Sequence, residues 1–213
     1  MGEGSASPEM PITIKPPENI GWQDDEPTEI ATESFQEGLI KPGDKVLDVG
    51  SGSGRNANWL AQQGVEVTAI NNDPKEIEGA QKKAEALGVN VNYLLGSATE
   101  LHFPDNSFEV VLDGGCTHEI PDKEGQKKAE AETARVIKLG GHLIYFGFSK
   151  EHPDYVNKKD SPQFRDLKDV QEMYGQDFEI ISSKEVRWAP KPEEERKFPE
   201  HVGLIVVMKR KEK

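Results

Sequence analysis

The sequence predicts an α/β protein with a doubly wound, mostly parallel sheet of seven strands and helices on both faces. Three observations lead there. Short apolar runs alternate with helical stretches from residue 45 onward, and chains that alternate in this way build parallel sheets. Glycines close those helical stretches at Gly64, Gly88 and Gly140-Gly141, as helix ends favour. A glycine cluster follows the first apolar run at once. Parallel strands need crossovers, and right-handed crossovers place the helices on the sheet faces. At 213 residues the chain fits one domain of ordinary size.

In chain order, residues 1–21 carry Pro8, Pro11, Pro16 and Pro17 among small polar residues, a composition that buries too little surface to offset ordering, and read as an extended arm. The single domain is assigned to residues 22–213. From Thr28 a short helix puts Ile30, Ala31, Ser34 and Phe35 on one side and closes at Gly38. Residues 45–49 form the first strand, the glycine cluster follows, and residues 56–63 form a helix. Residues 65–70 form the second strand, Pro74 opens a helix that runs to Leu87, and residues 91–95 form the third strand. Residues 108–112 are the fourth strand, and residues 122–138 a charged helix whose inner side is Ala129, Thr133, Val136 and Ile137. Gly140-Gly141 stops that helix, and residues 142–148 form the fifth strand. A polar segment leads to a helix over residues 163–174. The last two strands, residues 178–187 and 202–209, flank a connection rich in Pro and Glu.

Composition excludes several function classes. No apolar run approaches the ~20 residues that cross a bilayer, and the first ten residues lack a basic segment followed by an apolar one. A cytoplasmic location without membrane contact is the expectation. The single cysteine, Cys116, has no internal disulfide partner, and no Cys/His cluster has zinc-ligand spacing; no metal is expected. A net charge of −13 opposes phosphate backbones, so Lys127-Lys128, Lys158-Lys159 and the tail Lys209-Arg210-Lys211 read as solvated faces and nucleic acid is disfavoured as a partner.

The most informative stretch is Val46-Leu47-Asp48-Val49-Gly50-Ser51-Gly52-Ser53-Gly54, between the first strand and its helix. Glycines let the backbone turn sharply and approach a ligand, and the helix N-terminus offers N–H groups. Asp48 suits a ligand carrying an ammonium group and would repel the pyrophosphate of a nicotinamide dinucleotide. With this motif the chain resembles the class I methyltransferases that use S-adenosylmethionine, over most of residues 22–148. Phe103-Pro104-Asp105-Asn106-Ser107-Phe108-Glu109-Val110-Val111 resembles the run before that family's fourth strand. Arg135-Val136-Ile137-Lys138-Leu139-Gly140-Gly141 is similar to its R-V-L-K-P-G-G, with Leu139 in place of proline. Gly54-Arg55-Asn56, Trp59-Leu60 and Trp22 look most like the small-molecule branch of thiopurine, thiol, halide and tellurite-type methyltransferases.

The resemblance implies a Rossmann-like fold with an antiparallel last strand, S-adenosylmethionine as cofactor, and a small-molecule acceptor. It places Asp48, Gly50, Ser51, Gly52, Gly54, Asn71, Asn72, Ser97, Ala98 and Asp113 at the cofactor, Asp113 through its backbone. It also implies an acid at the end of the second strand for the ribose hydroxyls, where this chain has Asn71, and another near the adenine, where it has Ser97. An amide offers one acceptor oxygen where a carboxylate offers two. Weak cofactor binding is therefore an open possibility, with Asp73 as a substitute if the strand ends two residues later.

The loop Asp113-Gly114-Gly115-Cys116-Thr117-His118-Glu119 falls at the carboxyl ends of the strands, where open α/β sheets bind ligands. Two roles stand open for His118: a base that takes the acceptor's proton, with Glu119 as a weaker candidate, or a residue that orders the loop. Cys116 is a reactive thiol or a small filler. Trp22, Tyr145, Phe148 and Trp188 line an acceptor pocket or pack the core, and Trp22, Cys116 and Trp188 are the substrate candidates. Two further readings stay beside methyl transfer to a small molecule: a catalytically silent binding protein on the same fold, and a methyltransferase acting on nucleic acid.

Overall fold

A computed structural model of the chain describes residues 26–159, 161–188 and 200–212. The arm over residues 1–21, Trp22 and the Pro- and Glu-rich connection over residues 189–199 lie outside the described residues. The first helix, α1 (Glu29–Gln36), ends just before Gly38 at φ +74°. Then come β1 (Lys45–Val49), α2 (Arg55–Gln62), β2 (Glu66–Asn71), α3 (Pro74–Leu87), β3 (Asn92–Leu95) and β4 (Phe108–Asp113). They are followed by α4 (Lys123–Val136), β5 (Ile137–Ser149), β6 (Phe164–Arg165), α5 (Leu167–Tyr174), β7 (Phe178–Trp188) and β8 (His201–Arg210). Seven strands lie side by side in the order β3-β2-β1-β4-β5-β8-β7, and the two-residue β6 pairs with the end of β5. Strands β1 to β5 pair in parallel, whereas β8 runs antiparallel to both β5 and β7. The chain leaves β1 toward one edge through β2 and β3, then returns to place β4 on the other side of β1. This reversal opens a crevice at the carboxyl ends of β1 and β4, the position where such sheets bind ligands.

Strand side chains alternate between two cores. Val46, Val110, Leu112, Ile144 and Ile205 pack under α1, α2 and α3, whose buried residues include Ile30, Ala57, Leu60, Ile77 and Ala80. Leu47, Val111, Leu143, Tyr145 and Val206 pack under α4 and α5 through Ala129, Val136, Val170 and Tyr174. The same alternation sends Asp48, two residues after Val46, toward the α2 side, where it is 2% exposed. Three helices carry caps legible in the residues: Asp73 accepts from Lys75 N–H and Pro74 sits at the first position of α3, and Asp122 accepts from Gly125 N–H at α4. Asp166 and Asp169 form a capping box at α5.

Two boundaries differ most from the sequence expectation. The fifth strand starts at Ile137, and Gly140-Gly141 lies inside it rather than before it. Pairing passes from Phe108 with Ile137 directly to Val110 with His142, so residues 138–141 bulge out. Gly140 has φ +77°, and a Cβ on Gly141 would meet the Glu109 carbonyl oxygen at 2.5 Å, so glycine here serves a bulge and not a helix stop. The helix expected from residue 163 starts at Leu167, because Phe164 and Arg165 pair with Phe148 and Ser149. Strand β2 ends at Asn71 and Asp73 caps α3, so the substitution of Asp73 for the missing ribose acid is not realised.

Candidate active site

The glycine loop leaves β1 with Gly50, Gly52 and Gly54 at φ +70°, +50° and +79°, a region that side chains other than glycine rarely adopt. Ser51 N–H donates to the Ile70 carbonyl at 2.9 Å and ties the loop to β2. Gly54 begins α2 against Tyr93 and Ala80: a Cβ there would collide with Tyr93 Oη and lie 2.8 Å from Ala80 Cβ. Tyr93 Oη in turn donates to Asn58 Oδ1 at 2.9 Å. At Gly52 a Cβ would meet nothing within 4 Å among the described residues.

Under the loop, two buried carboxylates lie near each other. Among the described residues, Asp48 Oδ2 and Ser51 Oγ have no hydrogen-bond partner. Burial foremost, then the charge of Asp113, pushes the Asp48 carboxyl up to about 7, against the pull of Arg55 and the Ala57 N–H. Asp113, 1% exposed, is fully engaged: its Oδ1 accepts from Gly115, Cys116 and Thr117 N–H at 3.2, 2.7 and 3.2 Å, and its Oδ2 accepts from Thr117 N–H at 3.3 Å. The Asp113 side chain thus folds the loop that follows β4. An orphaned carboxylate oxygen at the end of β1 and an orphaned hydroxyl in the glycine loop that follows fit an ammonium group, which S-adenosylmethionine carries on its methionine end.

The nucleoside end fits less well. Asn71 Oδ1 accepts from Asp73 N–H at 2.8 Å, which leaves its Nδ2 donor for any ribose. Ser97 Oγ is 2.8 Å from Thr99 Oγ1 and accepts from Thr99 N–H, so it is spent on its own turn. Asn72 is exposed, and Ala98 is buried in the α4 core.

On the acceptor side, Cys116 packs against Gly50, where a Cβ would be 2.6 Å from Cys116 Cβ. Burial foremost, then Asp113 and Asp48, raises its thiol pKa far above the usual value, which favours the filler role. His118 is 1% exposed. Its Nε2 lies 3.1 Å from Glu119 Oε1, yet neither ring nitrogen has an aligned hydrogen-bond partner. The contact with His118 holds the Glu119 carboxyl below its ordinary range, and Gln163 Nε2 donates to Glu119 Oε2 at 3.3 Å. The His118 ring stands edge-on to Phe146 and Phe148, with centroids at 6.1 and 5.1 Å. Phe148 and Trp188 are near parallel at 6.2 Å. Of the three substrate candidates, Cys116 packs against Gly50 and the α4-side core, Trp188 packs with Phe146 in the opposite core, and Trp22 is outside the described residues. Tyr145 lies in the α4 core.

Two side-chain pairings had no sequence signal. His152 Nε2 is 2.9 Å from His201 Nδ1, and both rings pack on Phe148. His152 Nδ1 accepts from Asp154 N–H at 3.0 Å, so its proton sits on Nε2 and is donated to His201. Asn56 Oδ1 accepts from Thr28 N–H and Oγ1 at 2.8 and 2.9 Å, seating α1 on the start of α2. These partners are 49 and 28 residues apart in the chain.

Residues 47–145 match a family model described as a methyltransferase domain. The chain is 32% identical over 145 residues to a ubiquinone/menaquinone biosynthesis C-methyltransferase UbiE of Vibrio parahaemolyticus, covering 65% of this chain and 55% of that protein. It is 32% identical over 114 residues to a demethylmenaquinone methyltransferase of Tropheryma whipplei, covering 54% and 45%. The chain spans about half the length of these curated relatives. A solved S-adenosylmethionine-dependent methyltransferase of Methanosarcina mazei superposes with a TM-score of 0.73 at 19% identity, over 84% of this chain and 98% of that one, and shares the fold. Residues 47–145 therefore match a methyltransferase domain, and the chain shares the fold of the solved methyltransferase.

Proposed function

We propose that this protein transfers a methyl group from S-adenosylmethionine to a small-molecule acceptor. The observation that carries this reading is that Asp48 Oδ2 at the end of β1 and Ser51 Oγ in the glycine loop, at the sheet's reversal point, have no hydrogen-bond partner among the described residues. When bound, the donor supplies a methyl on a positively charged sulfur, and in-line displacement then needs alignment and exclusion of water. Asp48 and Ser51 hold the methionine end. The Asp113 carboxylate keeps residues 115–117 folded over the site through their N–H groups. Phe146, Phe148 and Trp188 supply an apolar wall. His118 accepts the acceptor's proton at a ring nitrogen, and Glu119 stabilises the imidazolium that results.

The names of the relatives point to a ring carbon as acceptor, whereas the likeness at Gly54-Arg55-Asn56 and Trp59-Leu60 points to sulfur, halide or metalloid nucleophiles. A panel of quinols, phenols, thiols, halides and metalloid anions covers both, with tRNA and DNA as further arms. A second reading, a binding protein on a silent fold, is favoured by the local engagement of Asn71 and Ser97. Calorimetric titration with S-adenosylmethionine, followed by transfer of a labelled methyl across the panel, separates the two. Micromolar binding with transfer to one small-molecule class supports the proposal, and His118→Gln then lowers turnover about 10²–10⁴-fold with donor affinity unchanged. Absence of binding up to millimolar donor overturns the proposal in favour of the silent fold.

A further inference from the structure

The Asp48 carboxyl presents an electrostatic problem that donor binding would resolve. It is 2% exposed, one oxygen has no partner among the described residues, and a second buried carboxylate, Asp113, lies within reach of its field with both oxygens already engaged by the loop after β4. The groups that face it from the surrounding elements are Asp113 on β4, Arg55 and the Ala57 N–H on α2, Tyr93 on β3 and Cys116 in the loop after β4. Arg55 is the one cation among them. Tyr93 and Cys116 are each pushed upward in part by Asp48, which places them within reach of its field. Two like charges in a low-dielectric pocket do not both ionise readily.

We infer that donor binding at this site is a proton-for-cation exchange, in which Asp48 carries a proton in the free protein near neutral pH and releases it to solvent as the donor's ammonium group arrives. The inference rests on the donor reading above and goes beyond it, since it assigns a protonation state to the free protein. The O–H bond of the carboxyl breaks, its proton passes to buffer, and the ammonium keeps its own protons while it donates to the carboxylate. Donor affinity then rises with pH until Asp48 is ionised in the free protein as well. The donor's own amine, with an ordinary pKa of about 8, is mostly protonated at pH 6 to 7 and masks little of this release.

Titration calorimetry of the full chain in two buffers of different ionisation heat counts the protons exchanged, with S-adenosylmethionine and S-adenosylhomocysteine as probes. With the Asp48 carboxyl at about 7, release is about 0.5 proton per ligand at pH 7 and about 0.9 at pH 6. Both probes carry the ammonium, so both release alike, and Asp48→Asn binds more weakly and without release. Binding heats that are independent of buffer at pH 6 and 7 overturn the exchange and leave the donor reading intact. Release with the sulfonium compound alone overturns the assignment to the ammonium. If neither compound binds, the donor reading fails, and carboxyl carbon NMR of the free protein still tests the protonation state. A resonance that titrates between pH 6 and 8 and is lost in Asp48→Asn supports a protonated Asp48, whereas a midpoint below 5 overturns it.

Discussion

Replacing Asn71 with Asp tests the donor site at its weakest point. In the structure Asn71 ends β2 and its Oδ1 accepts from Asp73 N–H at 2.8 Å, while Asp73 Oδ1 is itself held by Lys75 N–H at 2.8 Å. Asn71→Asp keeps the turn bond through one oxygen and converts the donor Nδ2 into a charged acceptor for a ribose hydroxyl. A hydrogen bond to a charged group contributes about 1 kcal/mol more than a neutral one, and up to two hydroxyls can use the new oxygens, so the gain is about 1–2 kcal/mol. That gain corresponds to roughly 5- to 30-fold tighter binding. The added charge sits near Asp73, but also at the N-terminus of α3, where negative charge is favourable, so stability should change by less than about 0.5 kcal/mol. Titration of both proteins with S-adenosylhomocysteine at pH 7.5, with thermal unfolding as the control, reads the effect. An unchanged or weaker affinity in a normally stable variant would falsify the placement of the ribose at Asn71.

Two other perturbations test the surroundings of the site. Burial foremost, then His201, lowers His152 to about 4 from an ordinary 6.5. The neutral ring is thus favoured by folding: its contribution is complete above pH 6.5 and is lost as pH falls from 6.5 toward 4. After allowance for solvent screening, the loss is about 1–2 kcal/mol at pH 4.5. Asp48 changes stability in the opposite sense over part of this range, so the measurement is the difference in urea unfolding between the protein and His152→Asn at pH 7.5 and 4.5; a pH-independent difference refutes the argument. Gly54→Ala places a methyl against Tyr93 Oη and Ala80 Cβ at a φ of +79°. It should destabilise by about 2–4 kcal/mol through strain and overpacking and weaken the donor by more than tenfold; a variant with unaltered unfolding midpoint would show that the loop tolerates a side chain.

Much of the donor half was legible because it is local. Asp48 and residues 50–54 sit within one strand-loop-helix unit, and their spacing alone carries the chemistry. The acceptor half was less legible. His118 was visible as a titratable residue in a loop, but its burial between Phe146 and Phe148 depends on a strand more than twenty residues later. The Gly140-Gly141 stop was misplaced for a related reason. Left-handed glycine closes helices and opens bulges alike, and only the pairing of β5 with β4 distinguishes them.

What the sequence alone determined is the alternation of strands and helices, the glycine loop after β1 and the absence of an acid at residue 71, since each is a property of neighbouring residues. The tertiary structure decided which polar groups are satisfied. It consumed both oxygens of Asp113 in the loop after β4, left Asp48 Oδ2 without a partner and joined His152 to His201. Hydrogen bonding and desolvation depend on distances between residues far apart in the chain, and those distances exist only once the sheet has assembled.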